Sequence, residues 1–241
     1  MYMKGIILAG GHGTRLSPLT KVTNKHLLPV YNKPMVYYPI ELLIEAGIKD
    51  IIIVTGKEHA GNFLNLLGSG ADFGAHFYYV LQDEAGGIAQ AIGLAEGIIS
   101  NESVLVILGD NIILDDISEY TKDFKSGATV FLKEVSDPNR FGVPVFDNSG
   151  KKILRIEEKP NKPQSEYAVT GLYLYDSTVF DKIKSLKPSE RGELEVTDLN
   201  NLYLKDGKLN HVILKEPWLD AGTFESLYES SKIIKDRLLK S

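Results

Sequence analysis

The 241-residue chain contains no cysteine. The absence of thiols excludes disulfides, thiolate zinc sites, iron–sulfur clusters and a cysteine nucleophile together. Long hydrophobic runs are also missing near the N-terminus, where the apolar run within residues 4–11 is far too short for a signal-peptide core or a membrane-spanning helix. We therefore expect a soluble, cytoplasmic protein.

Positive charge is scarce, with 27 Lys+Arg against 32 Asp+Glu and a formal net charge of −5. This balance argues against a general nucleic-acid-binding protein, which needs a basic face to replace phosphate counterions. Small anionic substrates remain open, because a few cations can converge in one cleft. The length suits one large domain, and the apolar fraction of 43% is ordinary for a globular protein.

Short apolar runs alternate with helical patterns over the first part of the chain. Runs at residues 5–8, 51–55 and 104–108 are typical of buried parallel strands. Helical spacing of apolar residues predicts helices, with Gly47 as the C-terminal cap of the first; the predicted helices cover 36–46, 59–67 and 88–99. The alternation predicts an α/β fold with a Rossmann-like, doubly wound, mostly parallel or mixed sheet.

After about residue 135 the pattern changes to strand candidates without long helices between them. These candidates are residues 143–146, 153–156 and 169–175. Pro144 cannot donate to a strand ladder, so its strand should begin there or lie at an edge. An amphipathic helix is predicted over 224–240. We expect one domain over 1–241, in which about 136–241 forms an appended, smaller, β-rich part with a C-terminal helix.

A glycine-rich segment, LAGGHGTRL at residues 8–16, directly follows the first predicted strand. Its glycines allow backbone N–H groups to approach an anion closely. It is not a Walker A loop, and Leu16 stands where a dinucleotide fingerprint needs its third glycine. The added cations, Arg15 and Lys25, suit a triphosphate. The alternative is an ordinary strand-to-helix turn with solvated cations.

This segment, followed by KHLLPV at 25–30 and KPM at 33–35, resembles the opening of the sugar nucleotidyltransferases, and within them the glucose-1-phosphate thymidylyltransferases. Further motifs of that family follow in the same order over nearly the whole chain: LGDN at 108–111, EEKP at 157–160, YAVTGLY at 167–173, RGELE at 191–195 and WLDAGT at 218–223. The resemblance implies that about 1–135 binds a nucleotide and about 136–241 binds a sugar.

The resemblance also implies roles for individual residues. The nucleotide would be bound by Leu8, Gly10, Gly11, Gly13, Thr14, Arg15, Gln82, Gly87 and Asp110. The sugar phosphate would be bound by Gly142, Glu158, Lys159, Val169, Gly171, Arg191 and Trp218. The catalytic groups would be Arg15, Lys25, Lys159 and Arg191, with Mg²⁺ held by Asp110 and Asp220. Without the resemblance, the aspartates could equally be turn or cap residues and the cations surface ion pairs.

The implied reaction transfers a nucleotidyl group from dTTP to glucose 1-phosphate by Mg²⁺-assisted in-line attack on the α-phosphate, giving dTDP-glucose and pyrophosphate. One alternative is a UTP-dependent uridylyltransferase or another sugar-1-phosphate nucleotidyltransferase. A remote alternative is a non-catalytic nucleotide-sensing protein. No nucleic-acid or membrane partner is expected, and a homo-oligomer is left open.

Three departures from the family pattern stand out. Phe141 replaces a tyrosine that relatives carry, and His26 replaces the glutamine of many relatives. Longer relatives also continue past the position of Ser241 into a helical segment tied to feedback regulation and tetramer packing. We therefore expect reduced regulation at a second nucleotide site, and an oligomer that is smaller or differently built.

Overall fold

The structure, a computed structural model, describes residues 2–240. The strands are β1 Met3–Ala9, β2 Pro29–Val30, β3 Lys33–Pro34, β4 Asp50–Gly56, β5 His76–Gln82, β6 Ser103–Leu108, β7 Asn111–Ile113, β8 Ala128–Glu134, β9 Gly142–Phe146, β10 Ile153–Glu158, β11 Tyr167–Tyr175, β12 Leu209–Ile213 and β13 Trp218–Asp220. The α-helices are α1 Tyr37–Glu45, α2 Ala60–Leu67, α3 Ile88–Gly93, α4 Ser118–Asp123, α5 Val179–Ser185, α6 Val196–Lys205 and α7 Phe224–Leu238. Among these helices, none is both long enough and apolar enough to cross a membrane.

A seven-stranded sheet in the order β12-β8-β11-β6-β1-β4-β5 forms the centre of the molecule. Strand β1 pairs in parallel with both β4 and β6, and β5 continues this parallel set beyond β4. Strand β11 is antiparallel to its two neighbours, β6 and β8. The predicted α/β fold with a mostly parallel, mixed sheet is confirmed, and the three apolar runs of the first part are β1, β4 and β6.

Helices cover both faces of this sheet, which explains why its central strands contain several consecutive apolar residues. Ile6 and Leu8 of β1 belong to a core that includes residues of α3, α5 and α6. Ile7 and Ala9 face the opposite way, into a core that includes residues of α1 and α2. Because successive side chains of a strand alternate between faces, a strand buried on both sides reads as a continuous apolar run.

The second part of the chain contributes both a separate ribbon and strands of the main sheet. Strands β9 and β10 pair antiparallel as a two-stranded ribbon, in which Pro144 lies opposite Ile156. Pro144 thus lies in a strand with a free edge, as predicted. Strands β11 and β12 join the central sheet beside β6 and β8. The two predicted parts therefore share one sheet.

The helix predicted over 88–99 is shorter in the structure. Helix α3 ends at Gly93, and a separate 3₁₀ turn follows at Glu96–Ile98. Gly93 and Gly97 have low helix propensity and weaken this stretch. A Cβ at Gly93 would lie 3.2 Å from the side chain of Ile183, so the glycine also permits close packing of α5.

Helix α1 ends in the cap predicted at Gly47. The Gly47 N–H donates to the carbonyl of Ile44 and the Ile48 N–H donates to the carbonyl of Leu43, each at 2.9 Å. Gly47 has φ of 85°, in the left-handed region. This pair of bonds is a Schellman motif, which satisfies carbonyls at the helix end and needs a residue that tolerates positive φ.

We expect Gly47→Ala to lower the free energy of unfolding by about 1 kcal/mol, because alanine is strained at positive φ. No atom lies within 4 Å of a Cβ added at Gly47, so a clash does not contribute. Gly61, near the start of α2, is a matched control that also has no atom within 4 Å. Gly61→Ala should raise the free energy of unfolding by about 0.5 kcal/mol. Denaturant unfolding measures both, and changes of the same sign would contradict this account.

Candidate active site

A cavity of about 770 Å³ opens at the carboxyl ends of the central strands β1 and β6, where doubly wound sheets bind ligands. Most of the site residues predicted from the sequence line it. They are Thr14, Arg15, Asp110, Gly142, Glu158, Lys159, Val169, Gly171, Arg191, Trp218 and Asp220.

A smaller recess of about 40 Å³ contains Gly10, Gly11 and Gln82. Four predicted site residues lie outside both spaces, and each has a place nearby: Leu8 is buried in β1, Gly13 packs on Lys25, Lys25 contacts Asp110, and Gly87 lies against the backbone of Leu194. The structure therefore brings the glycine-rich segment, the carboxylates and the later cations to one edge of the sheet.

Asp110 and Asp220 are brought together by a pairing of two short strands. Strand β7 starts directly after Asp110 and runs antiparallel to β13, with Asn111 opposite Asp220. The Ala221 N–H donates to the backbone carbonyl of Asp110 at 3.0 Å. Two residues far apart in the sequence are thus neighbours at the floor of the cavity.

Asp110 is a buried carboxylate held ionised by a cation. The Lys25 ammonium donates to Asp110 Oδ2, and Asn111 Nδ2 donates to Asp110 Oδ1 at 3.1 Å. Burial acts to raise the pKa of Asp110, but the charges of Lys25 and His26 and the hydrogen bonds from Lys25 and Asn111 together outweigh it and hold that pKa well below its usual range. Removing Lys25 would leave a buried, unpaired charge.

Asp220 experiences the opposite balance. Burial, with the adjacent negative charge of Asp110, raises the pKa of Asp220 to about 6. Lys25, Arg15 and Arg140 oppose this rise. Arg140 Nη2 lies 3.6 Å from Asp220 Oδ2. At Asp220, burial and the repulsion from Asp110 together outweigh the attraction of these three cations.

Arg15 reaches this carboxylate pair from the glycine-rich segment. It lies in a 3₁₀ turn, Thr14–Leu16, which follows Gly13. Its guanidinium packs beside Gly222, where an added Cβ would be only 2.9 Å from Arg15 Nη2. Arg15 is an exposed residue, and it lines the cavity next to Asp220.

Asn111 connects the carboxylates to the opposite wall. Its Oδ1 accepts from the Gly171 N–H at 2.9 Å and from Trp218 Nε1 at 2.6 Å. The Trp218 ring in turn packs edge-on against Phe141, with 5.0 Å between ring centroids. These hydrogen bonds hold the wall formed by β11 and β13 in place, and both of them are accepted by the Asn111 side-chain amide.

The two later cations, Lys159 and Arg191, form a second positive group at the other end of the cavity. Arg191 Nη2 donates to Glu195 Oε1 at 2.9 Å and lies 3.4 Å from Glu158 Oε1. Lys159 Nζ is 3.5 Å from the same Glu158 oxygen. Both cations are about half exposed, at 48% and 45%, so these ion pairs add little stability and leave the cations accessible to an anion.

Several cavity residues were not assigned roles from the sequence. Asn111, Tyr173 and Glu195 lie within motifs but were given no part, whereas Arg140 and Thr197 gave no signal. Thr197 Oγ1 donates to Glu158 Oε2 at 2.5 Å and orients that carboxylate. Arg191 and Glu195 lie in the loop that precedes α6, so the spacing rule for helices does not account for their ion pair.

The donor set fits a magnesium ion completed by other ligands. Among residues 2–240, no three His, Cys, Asp or Glu side chains cluster as an all-protein metal site. Mg²⁺ commonly takes only one or two carboxylates and completes its octahedron with water and phosphate oxygens. Asp110 and Asp220 supply such a pair, and a divalent cation would relieve the repulsion that raises the pKa of Asp220.

Comparisons with known proteins identify the family of this chain. A family model described as nucleotidyl transferase matches residues 4–237. A glucose-1-phosphate thymidylyltransferase of Neisseria meningitidis serogroup A is 48% identical, in an alignment covering 97% of this chain and 83% of that protein. One from Mycolicibacterium smegmatis is 47% identical, with 97% and 82% covered.

Two solved structures are similar to this chain over nearly their whole length. A Bacillus anthracis protein assigned as a glucose-1-phosphate thymidylyltransferase, in complex with sucrose, superposes with a TM-score of 0.92 at 56% identity, covering 97% of this chain and 96% of that one. A UDP-glucose pyrophosphorylase bound to UDP-glucose superposes with a TM-score of 0.85 at 28% identity, covering 98% and 100%.

We expect Asp220→Asn to stabilise the fold at high pH. The folded-state pKa of Asp220 lies above its unfolded value, so the ionised carboxylate destabilises the fold above pH 6 and protonation relieves this as the pH falls. Asparagine should therefore raise the free energy of unfolding by about 1–3 kcal/mol at pH 8. The gain should shrink steadily below pH 6.

Denaturant unfolding at pH 8 and pH 5 measures this difference. Asp181→Asn is the matched control, because the Asp181 side chain is 87% exposed and should matter little at either pH. A gain for Asp220→Asn that does not change with pH would contradict the assigned environment.

Proposed function

Because the chain belongs to the nucleotidyl transferase family, we propose that it transfers a thymidylyl group from dTTP to glucose 1-phosphate, giving dTDP-glucose and pyrophosphate. The observation that carries this proposal is the arrangement of charge in the cavity. Arg15 and Lys25 lie on one side of a carboxylate pair, and Lys159 and Arg191 form a separate positive group. Two groups of cations suit two phosphorylated substrates.

The choice of substrates is supported by the relatives. Proteins 42–49% identical to this chain over at least 92% of its length carry the name glucose-1-phosphate thymidylyltransferase. The UDP-glucose pyrophosphorylase structures are only 26–28% identical. The uridylyltransferase alternative is therefore less well supported than dTTP, although the chemistry would be the same.

On the nucleotide side, we assign the triphosphate to Arg15 and the backbone of residues 10–14. Leu8, Gln82 and Gly87 would border the base and sugar of the nucleoside. Gln82 ends β5 beside Gly10, and an amide can both donate to and accept from a pyrimidine edge. Thus residues of about 1–135 would bind the nucleotide.

On the sugar side, Lys159 and Arg191 would hold the phosphate of the second substrate. Glu158, which is oriented by Thr197, would accept hydrogen bonds from sugar hydroxyls, as would the backbone at Val169 and Gly171. Gly142 and Trp218 would shape the pocket. Most of these residues lie in about 136–241, the proposed sugar-binding part.

The reaction needs alignment and charge neutralisation more than a protein base. The attacking phosphate oxygen is already ionised at neutral pH, and attack in line on the α-phosphorus releases pyrophosphate. Mg²⁺ bound by Asp110 and Asp220 would supply electrostatic stabilisation of the phosphate oxygens. Arg15 would hold the triphosphate, Lys25 would offset the charge of Asp110, and Lys159 with Arg191 would aim the attacking group.

The same proposal implies where the protein acts in the cell and which partners it has. A reaction that consumes dTTP and a sugar phosphate belongs in the cytoplasm, where nucleoside triphosphates are made. Nucleic acid and membrane are not partners in it. A homo-oligomer remains compatible with the proposal, and the reaction as written needs only groups of one chain.

Asp110→Asn should slow turnover by about 100-fold or more while leaving nucleotide binding partly intact, because it removes a metal ligand and the partner of Lys25. Steady-state kinetics at saturating Mg²⁺, with dTTP binding measured by calorimetry, separate the two effects. Asp72→Asn, in an exposed turn away from the cavity, is the control. Near-normal turnover by Asp110→Asn would contradict the role given to this carboxylate.

The activity itself is tested by pyrophosphate release from purified protein with Mg²⁺, glucose 1-phosphate and each common nucleoside triphosphate in turn. Release with dTTP that stops when the sugar phosphate is omitted is the expected result. A preference for UTP would keep the mechanism and change the substrate. No release with any nucleotide or sugar phosphate would favour the non-catalytic, nucleotide-sensing alternative.

A further inference from the structure

The side-chain amide of Gln82 packs against Gly10, the residue that directly follows strand β1. A Cβ at Gly10 would collide with Gln82 Oε1, so the glycine is required for the amide to lie there. Both residues line the small recess of about 40 Å³. A space of this size admits the edge of a base and excludes the whole ring.

Gln90, on helix α3, is hydrogen-bonded to this amide. Gln82 Nε2 donates to Gln90 Oε1 at 2.7 Å. Gln90 is itself covered by the loop before α3, because a Cβ at Gly86 would lie 3.0 Å from Gln90 Cγ. The amino end of the Gln82 amide is thus bound to Gln90, and its carbonyl end faces Gly10.

The NH2 group and the carbonyl oxygen of an amide recognise different bases, because the first donates a hydrogen bond and the second accepts one. Thymine and uracil present an N3–H donor between two carbonyl oxygens, whereas N3 of cytosine has no hydrogen and can only accept. A carbonyl fixed toward the base can accept from N3–H of thymine or uracil, but it opposes the lone pair of cytosine N3. An amide held in one orientation therefore discriminates between these bases, and a freely rotating amide does not.

Resting on the proposed function, in which Gln82 borders the base, we propose that Gln90 is a specificity-determining positioning residue. By accepting from Gln82 Nε2, it keeps the Gln82 carbonyl turned toward the base and favours nucleotides whose base carries an imide N–H. Gln90 does this without lining the recess. The substrate class selected is the thymine and uracil nucleotides over cytosine nucleotides.

Two substitutions separate the possible orientations, because glutamate can only accept and lysine can only donate. Gln90→Glu should keep the ratio of kcat/KM for dTTP over dCTP within about 3-fold of wild type. Gln90→Lys should turn the Gln82 amide over and lower that ratio by about 10- to 100-fold, the range for exchanging a hydrogen bond for an unpaired or opposed group. Glucose 1-phosphate is the second substrate in each assay.

Gln90→Met supplies the uncharged comparison if lysine disturbs folding. It removes the acceptor, so the ratio should fall by at least about 5-fold while the melting temperature stays close to that of Gln90→Glu. A role in packing alone would change stability or all kcat/KM values together, and would leave the ratio unchanged. An unchanged ratio in both Gln90→Lys and Gln90→Met would overturn the inference.

Dissociation constants of dTTP and dCTP, measured by calorimetry on the same variants, give the ratio without turnover. Wild-type protein that binds dTTP in preference to dCTP and loses that preference in Gln90→Lys supports the inference even if no pyrophosphate is released, in which case only the proposed reaction fails. Wild-type protein that binds the two nucleotides equally would overturn the inference.

Discussion

Asp110, which is buried, and Asp220, which is partly buried, lie side by side at the floor of the cavity, and their charges act on every group around them. Asp110 stays ionised because Lys25 contacts it directly, whereas the pKa of Asp220 is raised to about 6 by burial and by its neighbour. Carboxylates in this arrangement are costly unless cations offset them. Arg15 and Arg140 partly do so. The carboxylate pair suits a divalent cation, whose charge would offset the cost of ionising Asp220.

The sheet topology creates this pair. Strand β6 delivers Asp110 to the carboxyl edge of the sheet, and β13 returns from the end of the chain to pair with β7 and deliver Asp220. Asn111, between them, bonds to Gly171 and Trp218. The wall formed by β11 and β13 is therefore held in a fixed position relative to Asp110 and Asp220. The distance between Asp110 and Asp220 depends on the backbone pairing of β7 with β13. Paired strands are more rigid than loops.

The sequence predicted the parts of this architecture that carry local signals. Strands β1, β4 and β6 are continuous apolar runs because both of their faces are buried. Strand β5 was not predicted, although residues 77–81 (FYYVL) also form a hydrophobic run; as the edge strand of the sheet it exposes Tyr78 and Leu81. The meeting of Asp110 and Asp220 could not be predicted from spacing, since it depends on two three-residue strands. Gln90 gave no signal because its partner lies across a turn, on another element.

Within this site charged groups are placed for binding and alignment: Lys25 contacts Asp110, and Glu158 and Glu195 contact Arg191. The central claim is thus that the protein aligns two phosphates and forms no covalent intermediate. The most direct test uses dTTP made chiral at the α-phosphorus with sulfur, followed by the configuration of the sugar nucleotide formed. A single in-line displacement predicts inversion at that phosphorus. Retention would require two displacements through a protein-bound nucleotide, and would contradict the account.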